Sequence, residues 1–410
     1  MKGKKIIFLG LIGLILRLVL MPFTFHPDLW AISFSEYLFA FKGVTNIYDY
    51  LANISRDSAL IQNYGSNFFT YPPLAYYSFG IFGLTLRPFF NQDFFDNLTI
   101  NLPTILNDGR LFWHLFLTKL PYLFFDFGIL FLLVQLFEDK KKKFLAAILW
   151  LFNPLVFYTS YMIGQFDIIP VFFAVFSLYL AKKDKWEWAA FFLGVGGAYK
   201  MFPLFFLPLL AVAGGKDLMG KLKLFVFGLA PYLLTIMPFL GSASFRQNVL
   251  FSNQSQKMLF AKIPVSGAEY LSVFLVLYVF LILFSLVRKI DLWKWFFMTM
   301  LLFFSVTHYH PQWFLWLTPF LIIFWLEYPH LKFIPIVLLG CWFLIMIFFE
   351  PSLSIALFAP VFPQLTRIVP FSVALSRIYD IYQFRSLIRS IFAGTCLTAS
   401  ILLFKKDEIA

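Results

Sequence analysis

Apolar runs of about 17 to 25 residues recur along this chain between short charged joints, and a run of that length crosses a hydrocarbon core of roughly 30 Å. Lipid offers backbone N–H and C=O groups no partners, so such runs must fold as helices that satisfy their own backbone. The composition points the same way: 61% of the 410 residues are hydrophobic, 13% are charged and 59 are Phe, with a mean hydropathy of +0.81. The sequence predicts an all-α, polytopic membrane protein, a single integral-membrane domain over residues 1–410.

A net charge of +12 invites a nucleic-acid partner, but the basic residues sit in the wrong places for one. Of the 33 Lys and Arg, 19 fall in "MKGKK", "EDKKKK" (138–143), "KKDK" (182–185), "KDLMGKLK" (216–223), "RKIDLWK" (288–294), Lys332 and "FKKDE". Short basic loops mark the cytoplasmic side, so the charge sets orientation and no nucleic acid is expected. The first apolar run, Ile6 to Met21, follows a basic start but has no small-residue cleavage site after it. It is expected to remain as a first helix with its N-terminus in the cytoplasm. Cys341 and Cys396 both fall inside apolar helices, which leaves no disulfide framework and no metal-ligand spacing.

With the basic joints inside, the count closes at about 12 transmembrane helices and both termini cytoplasmic. The approximate spans are 6–22, 119–137, 144–162, 165–181, 187–200, 201–214, 223–240, 269–287, 293–307, 313–326, 333–349 and 387–404. Residues 187–214 and 293–326 must each hold two crossings, yet a helix of about 14 residues rises only about 21 Å. Their external turns, "AYKMFP" and "THYHPQW", are therefore expected below the membrane surface, in a cavity that covers the irregular backbone. Residues 23–118 form a long external loop. Its apolar stretch 71–90 would turn "EDKKKK" outward if it crossed, so it is expected as an interfacial or re-entrant helix begun by Pro72 and Pro73. A second external segment, 350–386, carries Pro351, Pro360, Pro363 and Pro370 with Arg367, Arg377 and Arg385. No internal repeat or inverted symmetry is visible, which disfavours a secondary transporter.

Against this background Asp28, Asp126, "GQFD" (164–167), "YK" (199–200) and "HYHPQ" (308–312) stand out, all at or near external helix ends. Ionisable groups at membrane depth cost roughly 2.5 to 3.5 kcal/mol at a helix centre and mark functional sites by default. A carboxylate, a Lys and two His around one cavity suit a reaction that deprotonates a hydroxyl and releases a phosphate. The carboxylate would be the general base, the Lys and His would hold the phosphate, and the external loop would hold the acceptor. Each residue also has a plainer reading. Asp28 follows Pro27, where an N-cap is ordinary. Asp126 pairs with Lys119 or with a neighbouring helix, and Gln165 and Asp167 either cap a turn or touch the donor. Lys200 and Arg17 either snorkel to the interface or meet a phosphate, and His308 and His310 either cap a helix or meet that phosphate. His26 and Asp28 make half of a metal site for which the sequence places no third ligand. The sequons at Asn53, Asn97 and Asn253 do not establish a eukaryotic compartment.

Taken in chain order, Asp28 in "HPDLW", "YPPL" from Tyr71, Lys119 and Asp126 in "KLPYLFFD", "NPLVFYTSYMIGQFD", "YKMFPLFFLPLL" and "FSVTHYHPQWFLW" resemble the GT-C glycosyltransferases. Among these the match is to the endoplasmic-reticulum glucosyltransferases that use dolichyl-phosphate glucose. The resemblance implies interfacial helices in the first external loop and a metal-free, inverting transfer of a hexose, mannose or glucose. The donor would be a polyprenyl-phosphate sugar, a co-substrate with no other cofactor, and the acceptor a lipid-linked glycan or another hydroxyl on the non-cytoplasmic face. It makes Asp28 the base and sets His310 near the carrier phosphate, where the reading of the residues themselves also puts Lys200, His308 and Arg17. Gln165, Asp167, Tyr71, Lys119, Asp126 and Gln312 would contact donor or acceptor. No external D-x-D or D-x-E marks the metal-dependent oligosaccharyltransferase branch, and the "GQFD" and "HPQ" forms resemble prokaryotic members. A monomer in a prokaryotic cell membrane is expected. Two other readings stay open: a polymerase or ligase that uses a diphosphate carrier, and a transporter or flippase of lipid-linked sugars.

Overall fold

The computed structural model describes the backbone of residues 2–404 and the side chains of residues 7–404, so the Lys residues of "MKGKK" and "FKKDE" lie outside the described side chains. Among the described residues the architecture is helical, with one short hairpin in which Lys262–Pro264 pairs antiparallel with Tyr270–Ser272. Among the described residues five helices are long and apolar enough to cross a membrane: Leu111–Leu136, Lys140–Ile163, Leu218–Phe239, Pro329–Ile347 and Ile381–Phe404. Shorter apolar helices stand at Ile7–Phe23, Ile168–Lys182, Phe202–Gly214, Val273–Val287, Leu292–Val306 and Thr318–Glu327. A multi-pass, all-α membrane protein results. Helices occupy the places of the expected crossings, but several are short, Thr318–Glu327 being only 10 residues long.

The two regions expected to double back do so. Trp186–Gly197 gives way at Ala198 to Met201 before Phe202–Gly214 begins, and Leu292–Val306 is followed by His308 to His310 and the tight turns of Pro311–Trp316. Close packing holds the first of these pairs, where a Cβ on Gly197 would lie 2.6 Å from Leu204 Cδ2, and braces it against the next helix. A Cβ on Gly194 would lie 2.0 Å from the Gly228 carbonyl oxygen, so Trp186–Gly197 and Leu218–Ile236 touch backbone to backbone.

One expected boundary is corrected. The helix predicted over 119–137 starts at Leu111, breaks at Leu120 and Pro121, and resumes over Tyr122–Leu136. Lys119 and Asp126 therefore lie within a 26-residue span, not at its outer end, because buried partners satisfy both. The apolar stretch at 71–90 forms Pro73–Leu86, whose 14 residues rise only about 21 Å and pack against Leu29–Ala40. Further helices of the same region are Ile47–Asn53, Ala59–Tyr64 and Gln92–Ile100.

Three of the basic joints, 138–143, 182–185 and 288–294, meet at one end of the bundle, where Lys294 lies over Tyr328 next to Glu327. Lys182 Nζ donates to Glu138 at 2.9 Å and Lys142 Nζ to Glu327 at 2.7 Å. The helices that end at Lys182 and Glu327 begin at the opposite end, beside Asp167 and Trp316, which share a hydrogen bond.

Candidate active site

The site is assembled where the first helix, Lys2–Phe23, runs out. Lys119 is wholly buried, and its ammonium donates to the carbonyls of Met21 (2.9 Å), Thr24 (2.6 Å) and Tyr161 (3.0 Å). These carbonyls end two helical segments, where unpaired C=O groups and the helix dipole favour a cation. Thr24 Oγ1 adds a bond to the same Tyr161 oxygen at 3.0 Å. The chain leading to Asp28 is thereby tied to the chain leading to "GQFD". Between them Gly164 has φ +82°, and a Cβ there would lie 2.7 Å from Leu29 Cδ1 and 3.0 Å from Lys119 Cε. Only glycine meets both demands.

These ties bring Gln165 to Asp28. The Asp28 side chain makes no N-cap bond to Leu29–Ala40, so the capping reading does not describe it. Its Oδ2 instead accepts from Gln165 Nε2 at 2.9 Å and from Gln312 Nε2 at 3.4 Å. Oδ1 lies 3.6 Å from His26 Nδ1, and the side chain is 41% exposed. That His26 nitrogen accepts the Asp28 backbone N–H at 3.1 Å. An accepting nitrogen carries no proton, so His26 is neutral, in keeping with burial pushing its pKa down. Among the described residues no third His, Cys, Asp or Glu joins this pair as a metal ligand would.

Lys200 does not snorkel. Its ammonium bonds Asp167 Oδ2 at 2.8 Å and Gln165 Oε1 at 3.3 Å, and it lies over the rings of Phe166 and Tyr71. Asp167 is buried, with its other oxygen on Trp316 Nε1 at 2.5 Å. Gln165 thus bridges the cation to the Asp28 carboxylate while also reaching the Tyr71 hydroxyl at 3.2 Å.

A cavity of about 710 Å³ opens over this network. Of the residues singled out in the sequence, it is lined by Asp28, Tyr71, Gln165, Lys200, His310 and Gln312. Asp167 stands behind Lys200, and His308 is exposed beyond the wall, its ring 6.2 Å from that of His310. Lys257 also lines the cavity, with Nζ 5.1 Å from the Trp313 ring centre. Sequence reasoning missed it, although as a basic residue outside every cytoplasmic joint it carried a usable signal. Burial and, after it, the Arg389 charge bring the Lys257 ammonium down to about 8.

Arg17, Lys119 and Asp126 are not in the cavity. Arg17 Nε pairs with Asp126 Oδ2 at 2.5 Å, with both side chains buried. The carboxylate also accepts from Trp150 Nε1 (2.7 Å) and Tyr161 Oη (2.6 Å), and Arg17 Nη1 donates to the Gly13 and Leu151 carbonyls. This corrects one expectation and decides another: Arg17 neither snorkels nor meets a lipid phosphate, and of the two pairings expected for Asp126 it takes the one with a neighbouring helix, through Arg17, and not the one with Lys119. Every polar atom of the guanidinium that finds a partner finds it inside the bundle.

The histidines set a pH dependence. Burial of most of the His310 ring and of part of the His308 ring, then nearby cations, push both down to about 4 from 6.5. Both are neutral imidazoles at pH 7. Between pH 6.5 and 4 the unfolded chain binds protons that the folded chain does not, so stability falls as pH falls through that window. Thermal unfolding in detergent should show a lower Tm at pH 5 than at pH 7, and the His308→Gln, His310→Gln double variant should lose much of that slope.

A family model matches residues 69–308, well over half of the chain. The chain belongs to glycosyltransferase family 87. GT87 membership makes it a membrane glycosyltransferase of the GT-C type and sets the transporter reading aside. The GT87 match takes in Tyr71, Gln165, Lys200 and Lys257; Asp28 precedes it, and His310 and Gln312 follow it. No curated protein and no solved structure matches the chain.

Proposed function

We propose that this GT87 enzyme transfers a hexose, mannose or glucose, from a polyprenyl-phosphate carrier to a hydroxyl acceptor such as a lipid-linked glycan, with inversion. The observation that carries the reading is the cavity that Asp28, Lys257 and His310 line together. Two glutamine amides hold Asp28 Oδ2, which leaves Oδ1 as the proton acceptor. An acceptor hydroxyl hydrogen-bonded to Oδ1 would lose its proton to Asp28 as its oxygen bonds to the anomeric carbon. The bond from that carbon to the phosphate oxygen breaks on the opposite side, and the charge passes to the phosphate. Lys257, with no carboxylate beside it, would receive that charge, while neutral His310 would offer a hydrogen bond. Lys200 is already matched by Asp167 and is better suited to hold a sugar hydroxyl and to orient Gln165.

The cavity lies at the end of the bundle opposite the basic joints, which supports an active site on the non-cytoplasmic face. The donor set supports a reaction run by this chain's own groups, with the lipid-linked sugar as co-substrate. Lys257→Met should lower kcat about 10²- to 10³-fold in a transfer assay with polyprenyl-phosphate mannose or glucose, the usual cost of losing one group that stabilises developing charge. Near-normal turnover would remove Lys257 from the phosphate's path. A donor that works only as a diphosphate-linked oligosaccharide would replace the reading as a whole.

A further inference from the structure

Beyond the cavity wall a row of cations and rings continues. Lys257 lies over Trp313, whose ring centre is 5.6 Å from that of His310. Phe349 is then shared by His310 (5.7 Å), His308 (6.3 Å) and the Arg385 guanidinium (5.2 Å). Arg389, one turn beyond Arg385 on the same face of Ile381–Phe404, lies 5.0 Å from the Tyr309 ring centre. Of this row Lys257, Trp313 and His310 line the cavity, whereas Phe349, His308, Arg385, Arg389 and Tyr309 do not.

What sets this row apart is that its cations gather, buried or partly buried, without a counter-charge. Arg17, Lys200 and Lys182 each have a carboxylate at 2.5 to 2.9 Å. Among the described residues, Lys257, Arg385 and Arg389 have none within 4.0 Å, and Glu350 acts on Arg385 only from farther away. Arg385 Nη2 caps the carbonyls of Phe348 and Phe349, yet its buried Nε has no acceptor. Like charges gathered at partial burial repel and are poorly solvated, and an anion relieves both. A single carrier phosphate at Lys257 and His310 would leave the two guanidinium groups unmatched. Exposed Tyr382 stands one turn before Arg385 on the same helix, the kind of aromatic residue that marks headgroup depth.

We propose that Arg385, Arg389 and His308 form a second lipid-phosphate site beside the catalytic cavity, which holds the phosphate of a membrane lipid other than the sugar carrier. Guanidinium groups bind phosphate through paired N–H donors, and His308 is exposed beside them. The proposal needs no particular sugar donor and stands apart from the catalytic reading.

Native mass spectrometry of the full chain in detergent tests it, with phosphatidylglycerol, phosphatidylcholine of the same acyl chains, and undecaprenyl phosphate as probes. Phosphatidylglycerol should be retained about 30-fold better than phosphatidylcholine, given the gain expected from two basic side chains at a membrane surface. It should also stay bound with undecaprenyl phosphate present, giving a complex that carries both lipids. Arg389→Gln, which leaves the Arg385 caps intact, should reduce the preference, and Arg385→Gln with Arg389→Gln should abolish it while undecaprenyl phosphate still binds. One-for-one displacement of phosphatidylglycerol by undecaprenyl phosphate would mean a single carrier site and would overturn the proposal. So would equal retention of the two phospholipids by the wild type, a result that depends on no variant folding.

Discussion

Asp28→Asn is expected to lower kcat by about 10²- to 10⁴-fold, the range that a positioned general base contributes, while the folded protein accumulates as before. The structure makes this substitution unusually clean. The amide oxygen of Asn can take the bonds that Gln165 and Gln312 now give to Oδ2, so both glutamines keep a partner. What is lost is the free oxygen that accepts a proton. The donor contacts assigned to Lys257 and His310 are made by side chains that the substitution leaves in place, so KM for the donor should move little and the loss should appear in kcat. Sugar transfer followed with purified enzyme, alongside a Tm comparison, gives both readouts. Turnover within a few fold of wild type would remove Asp28 as the base, and a collapse of Tm would show that its bonds hold the fold rather than serve the chemistry.

How far the sequence discloses such a site depends on how local its cause is. Asp28, Gln165, Lys200 and His310 stand at breaks between apolar runs, and helix length alone implies that the breaks at 198–201 and 307–311 lie deep. Their convergence on one cavity follows from that geometry. Lys257 escaped because it lies in an irregular stretch between Leu218–Phe239 and the Lys262–Pro264 strand, where no periodicity fixes a side chain's direction. The start of the span at Leu111 was hidden by polar letters. His114 reads as a loop residue, yet it is buried beside Phe94 and Phe95 and bonds the Ser33 hydroxyl at 2.9 Å. The partner of Asp126 was hidden by distance, since 109 residues separate it from Arg17.

That distant pair carries the largest expected effect on stability. Arg17→Leu leaves a buried carboxylate with Trp150 and Tyr161 but no cation, and Asp126→Leu leaves a guanidinium with two carbonyls and the Phe157 ring 4.8 Å away. Each single change should cost about 3 to 5 kcal/mol, the penalty for stranding a buried charge, whereas the double change should cost less than either because nothing charged remains. The consequence should also reach the cavity. Tyr161 bonds Asp126 through its hydroxyl and receives Lys119 and Thr24 at its carbonyl, so the knot and the turn carrying Gln165 share a residue. Unfolding in detergent for the two single variants and the double closes a cycle that isolates the pair. If the double variant regains stability but not kcat, the ion pair positions Gln165 against Asp28; if it regains both, the pair serves the fold alone. Additive losses would show that Arg17 and Asp126 do not depend on each other.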